Sequence, residues 1–213
     1  MGFLDIIAKL TSGFGYTLLI FFATIVFSFP LGLLISFASM SKKKIISVPM
    51  KVIIWIVRGI PLMLQILIIF ILPSLIGVDI DKVVVAIIAF SINYACYLSE
   101  IFRSGIQSIP QGQYEAGQVL GMKKSEIFFN VIFKQALKRI VAPTGNEIIT
   151  LVKDTALANV IFVDEIIRTA NLMASYNAII WPLFFTGVYY LIFVGILTLI
   201  LSKIEKKMSY FKV

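Results

Sequence analysis

Histidine is absent from this chain of 213 residues, cysteine occurs once, and only 14% of residues are charged. Without imidazole, His-dependent catalysis is excluded and a transition-metal site is unfavourable. Cys96, alone and inside an apolar run, can form neither a disulfide framework nor a thiolate metal site. No metal or other cofactor is therefore expected. A Gly-x-x-x-x-Gly-Lys-Ser/Thr stretch is missing, so the chain has no phosphate-cradling loop of its own. Internal repeats, low-complexity tracts and long linkers are missing too, which leaves a single domain over residues 1–213. The N-terminus lacks the basic start and brief apolar core of a cleavable signal. Asp5 and Lys9 flank a short amphipathic stretch, and residues 2–11 read as an interfacial helix.

What the chain has in excess is apolar sequence. It is 60% hydrophobic with a mean hydropathy of +1.00, whereas soluble chains carry about 25% charged residues. A helix crosses the hydrocarbon core in about 20 apolar residues. The expected fold is an all-α membrane protein with five transmembrane helices at roughly 13–40, 50–76, 83–102, 136–159 and 178–202. The fourth is the least clean, because it holds Lys153 and Asp154.

The net charge of +8 is not a nucleic-acid signature, because the basic residues gather at the ends of apolar runs. Lys42, Lys43, Lys44 and Lys51 follow span one. Arg103, Lys123, Lys124, Lys134, Lys138 and Arg139 lie between spans three and four, and Lys203, Lys206, Lys207 and Lys212 follow span five. With five spans all three segments fall on one side, which the positive-inside rule assigns to the cytoplasm. The N-terminus and Asn177 then face outward and the C-terminus inward.

Residues 103–135 are the one long polar stretch on that inner side. Pro110 and Gly112 punctuate its start, and Tyr114 to Leu120 has helix-compatible composition closed by Gly121 as a C-cap. Ile127, Phe128, Val131 and Ile132 then recur near the helical period. Two short helices meeting at a glycine form a compact knob over about 107–130. Gly117 and Gly121 are expected to leave one face bare for the close approach of another protein.

Three ordered motifs carry a resemblance. They are Arg58-Gly59-Ile60-Pro61-Leu62, the run Ile109-Pro110-Gln111-Gly112-Gln113-Tyr114-Glu115-Ala116 with Gly121 and Val131 beyond it, and Lys153-Asp154-Thr155-Ala156-Leu157. Together they resemble the permease subunits of ATP-binding-cassette importers for polar amino acids, over nearly the whole chain. The family's Leu-Pro after the loop is Phe133-Lys134 here, and Ala156 replaces its serine. The resemblance implies a coupling helix in which Tyr114, Glu115, Ala116, Gly117, Leu120 and Gly121 receive the motion of a separate ATPase. It also implies two cytoplasmic ATP-binding subunits per complex, an extracytoplasmic substrate-binding protein and a bacterial cell membrane. One copy offers too few helices to enclose a two-gated path, so a second permease subunit is expected, either another copy in a homodimer or a sister chain.

Ionisable groups at membrane depth are functional candidates by default. Arg58, Glu100, Lys153 and Asp154 qualify, and they supply both signs that a zwitterion requires. Two readings are open for most of them. Lys153 and Asp154 could pair locally, Glu100 could pair with Arg103, and Asn93, Tyr94 and Tyr97 could line a path or simply bond across the bundle. Gln65 carries the same ambiguity. Asp164 and Glu165, just past span four, would favour a cationic substrate at the outer mouth. The expectation is therefore an importer subunit for a basic amino acid such as arginine, lysine or histidine. The alternatives are a glutamine or glutamate importer, or an ion- or proton-coupled carrier.

Overall fold

The computed structural model of the chain describes residues 2–208; Lys212, counted above among the inner-side cations, lies outside the described residues. Regular structure among them is entirely helical. The helices are α1 (Phe3–Ser39), α2 (Lys44–Gly59), α3 (Leu62–Leu75), α4 (Lys82–Gln107), α5 (Gln111–Val119), α6 (Lys124–Glu126), α7 (Phe133–Asp154), α8 (Ile166–Asn177) and α9 (Trp181–Met208). A π segment, Ile127–Ile132, joins α6 to α7, and a 3₁₀ segment, Thr155–Ile161, extends α7.

α4 forms the centre. Of its apolar stretch 61% is buried, against 28% for α1 and 6% for α9, which leaves the last helix largely uncovered by the rest of the chain. α1 lies against α4 through a stripe of small buried residues, Thr24, Ser28, Gly32 and Ser36. At Gly32 a Cβ would stand 3.0 Å from the Ala95 carbonyl oxygen, so glycine there sets the helix separation. Between membrane helices, where apolar burial gives little net drive, such close backbone approach supplies the packing.

Among the described residues three helices are individually long and apolar enough to cross a membrane: α1, α4 and α9. The second expected span is broken. α2 and α3 meet at 106° across Ile60-Pro61, because proline removes a backbone donor and pushes the preceding residue to extended geometry. Gln65 repairs the break: its Nε2 donates to the carbonyls of Val57 (2.7 Å) and Ile60 (2.8 Å). The fourth expected span, α7, has 22 residues, enough in length, but six ionisable side chains keep it out of the apolar set. It packs between α4 and α9 instead.

A second expectation is corrected at the N-terminus. No separate interfacial helix covers residues 2–11; α1 runs unbroken from Phe3. Ile6 and Leu10 are buried against Ile166, Ala170 and Met173 of α8, so tertiary packing continues the helix.

Candidate functional site

The break between α2 and α3 places the last turn of α2 opposite the middle of α4 and the C-terminal turns of α7. Between them lies a cavity of about 440 Å³, within the range of small-molecule sites. Arg58 and the Gly59-Ile60-Pro61 bend form one wall. Asn93, Tyr94 and Tyr97 of α4 form the second, and Glu147, Thr150 and Asp154 of α7 the third. Positions 147, 150 and 154 follow the helical i, i+3, i+7 spacing, so all three side chains share one face of α7.

Tyr94 donates to the Asp154 carboxylate at 2.7 Å, which fixes that group at the cavity wall. Asn93 donates to Gln65 at 3.3 Å. The Arg58 guanidinium lies 5.0 Å from the centre of the Tyr97 ring, a cation–π contact, and the Tyr97 hydroxyl donates to the Arg58 carbonyl at 3.4 Å. Arg58 also approaches the Glu100 carboxylate at 4.0 Å. Glu100 itself is taken by Arg103 in a two-pronged pair of 2.9 and 2.7 Å.

The sequence candidates thus separate. Arg58, Asn93, Tyr94, Tyr97 and Asp154 come together at the cavity. Gln65 stands behind it as the partner of Asn93 and of the broken helix end. Glu100 lines an adjoining smaller cavity rather than this one. Lys153 is exposed outside the cavity lining and makes no ion pair with Asp154, whose hydrogen-bond partner is Tyr94. Asp164 is remote, where Lys82 (3.2 Å) and Arg168 (2.9 Å) neutralise it. Glu165 is fully buried and caps α8 by accepting from the backbone N–H of Ile167 (2.8 Å) and Arg168 (2.7 Å). Neither carboxylate is therefore free at an outer mouth. Glu147 is the residue that sequence reasoning passed over. Its signal was the same as that of Asp154: an acid within an expected span, two helical turns away on one face.

The polar knob forms α5, α6 and the π segment. Gly117 is buried, and a Cβ there would fall 2.7 Å from Cγ1 of Ile127. Its bare side therefore faces inward and seats Ile127, which corrects the expectation that both glycines present an open face. Gly121 is exposed with φ +74 and ends the helix in the left-handed region, as Met122 N–H bonds back to the Gly117 carbonyl at 3.0 Å. Tyr114 is half-buried, and burial pushes its hydroxyl pKa upward. Glu115 and Ala116 are exposed, and Val119 and Leu120 protrude at 88% and 78% exposure.

A helical membrane bundle with a central polar cavity and a protruding knob on its lysine-rich side defines a transport permease. A family model described as the binding-protein-dependent transport system inner membrane component matches residues 28–210. The L-cystine transport system permease protein TcyB of Bacillus subtilis is 38% identical over 168 residues, covering 79% of this chain and 72% of that protein. The arginine transport system permease protein ArtQ of Bacillus subtilis is 39% identical over 155 residues, 71% of this chain and 70% of that one. Among solved structures, an amino acid ABC transporter crystallised with histidines superposes with a TM-score of 0.88 at 30% identity, covering 97% of this chain and 99% of its own. The chain belongs to this family of ABC importer permeases, the membrane components of binding-protein-dependent amino-acid uptake.

Proposed function

We propose that the chain forms the translocation path of an ATP-driven importer for a basic amino acid. The observation that carries this reading is the charge of the central cavity: one cation, Arg58, faces two acids, Glu147 and Asp154. A zwitterionic head group takes one charge of each sign, Arg58 for the α-carboxylate and one acid for the α-ammonium. The second acid remains to meet a cationic side chain. Asn93, Tyr97 and Thr150 add neutral hydrogen-bonding groups. The acidic excess thus sits in the cavity itself rather than at Asp164.

ATP hydrolysis is assigned to two separate subunits docked on the knob through Tyr114, Glu115, Ala116, Leu120 and Gly121, with Gly117 supporting that face from behind by its packing on Ile127. A second copy of the chain completes the membrane unit, and an extracytoplasmic protein delivers the amino acid. Nucleotide-driven closure of the ATPases moves α5, and the knob transmits the motion to α7, which carries Glu147 and Asp154. Access to the cavity then alternates between the two sides.

The test is uptake of labelled arginine by proteoliposomes holding the complete complex, with lysine, glutamine and glutamate as competitors. Lysine should compete strongly and glutamine weakly. Asp154→Asn should narrow that difference at least tenfold, whereas Asp164→Asn should leave it unchanged. Equal competition by lysine and glutamine in the wild-type complex would refute the basic preference.

A further inference from the structure

A second cavity of about 260 Å³ adjoins the central one on the side of the lysine-rich helix ends. Its own lining is Glu100, Ile101 and Ser104, about two to three turns further along α4 than Asn93 and Tyr94. Arg58, Tyr97 and Glu147 border both spaces. From Asn93 to Ser104 the two chambers span about 16 Å of α4, at about 1.5 Å per residue. That is long enough for an amino acid to occupy one and then the other.

The shared residues are the charged ones that a zwitterion needs. Arg58 lies over the Tyr97 ring and has one loose ion-pair partner, Glu100 at 4.0 Å, which leaves most of its guanidinium N–H groups available. Glu147 makes no ion pair among the described residues, whereas Glu100 is fixed by Arg103 and Arg103 in turn by Gln107 at 2.6 Å. The doorway between the chambers therefore has a cation with N–H groups to spare and an acid without an ion pair, and the lower chamber has an acid already held by Arg103.

We propose that the smaller chamber is a release-side subsite for the same amino acid, entered past Arg58 and Glu147. This rests on the importer reading given above. In the upper position the substrate side chain lies among Asn93, Tyr94 and Asp154. In the lower one the head group keeps its contacts with Arg58 and Glu147 while the side chain turns toward Glu100 and Ser104. Moving between the two keeps one charge of each sign paired throughout, so no bare charge crosses the membrane interior.

The test separates binding from turnover in the complete complex reconstituted in lipid, with labelled arginine as the probe. Ser104→Leu fills the lower chamber from an exposed position on α4, and Ser104 itself does not line the upper chamber. It should hold the equilibrium Kd for arginine within about twofold of wild type while lowering the uptake rate at saturating arginine at least tenfold. Glu100→Gln should act in the same direction. Asp154→Asn, in the upper chamber, should instead weaken binding at least tenfold. Unchanged uptake in both Ser104→Leu and Glu100→Gln overturns the subsite. Loss of binding in both, matching Asp154→Asn, also overturns it, because the two chambers would then be one site. If the wild-type complex binds neither arginine, glutamine nor cystine, the importer reading itself fails, and the subsite fails with it.

Discussion

Glu165 has no exposed surface, and its two carboxylate oxygens are both used on the first N–H groups of α8. Burial pushes its pKa from 4.5 up to about 7, against the pull of those two backbone N–H groups and of the Arg168 cation. Tyr190 of α9 faces it with a phenol, and Arg168 and Asp164 are the charged groups at its own end of α8. A raised folded-state pKa gives a definite sign. The group's contribution to stability is complete below about 4.5 and is lost as pH rises through about 7, because the unfolded chain releases the proton first. Asp164 works in the opposite sense and in another window. Partial burial pulls its pKa upward, but the hydrogen bonds from Arg168 and Lys82 outweigh this and hold it below 3.8, so its contribution is lost only in stronger acid. The thermal midpoint of the purified protein should therefore fall between pH 5 and pH 7.5, and Glu165→Gln should flatten that fall. An identical slope in the variant would show that Glu165 is not the group responsible.

Among the elements, the knob is where glycine acts in two ways, and the difference can be measured. Gly117→Val drives a side chain into Ile127, an overpacking that costs about 1–3 kcal/mol and loosens α5 from the π segment. Leu120→Asp leaves that packing intact and changes only a residue that is 78% exposed. The expected result is that Gly117→Val lowers the thermal midpoint and Leu120→Asp does not, while both reduce co-purification of the ATPase subunits at least tenfold. Glu115→Lys should behave like Leu120→Asp. Full ATPase retention by Leu120→Asp and Glu115→Lys would remove this surface as the docking face. The same element shows what a sequence discloses. The position of the knob was legible from Pro110, Gly112 and Gly121, since turn chemistry is local. The inward use of Gly117 was not, because it depends on Ile127 folding back ten residues later. Proline gives a similar lesson: Pro61 breaks its apolar run and Pro30 does not break α1, and only the partner Gln65 and the packing against α4 tell them apart. Arg58 and Asp154 stood out as charges in apolar surroundings. Glu147 carried that signal in a helix whose other charges diluted it.

On the scale of the whole molecule, the arrangement of charge predicts a direction that labelling can check. The ends of α1 and α9 and the α4–α7 connection carry Lys42, Lys43, Lys44, Lys123, Lys124, Lys203, Lys206 and Lys207. If α1, the bent α2–α3 pair, α4, α7 and α9 each cross the bilayer in turn, all of these lie on one side. α8 and the Lys82–Asp164–Arg168 cluster then lie on the other. The weak link is α7, whose six ionisable residues argue against a lipid-exposed crossing. Its neighbours α4 and α9 and the polar cavity give those groups protein or water to face instead, which is the arrangement that makes intramembrane charge tolerable. Because α7 is the only crossing between the knob and α8, its orientation decides whether Ser108 and Asn177 fall on opposite sides. A membrane-impermeant thiol reagent should reach cysteine at Ser41 and Ser108 only in inside-out vesicles, and cysteine at Asn177 only in intact cells. Labelling of positions 108 and 177 from the same side would mean that α7 does not cross. The cavity acids would then sit at a surface, and both the importer path and the release-side chamber would lose their geometry.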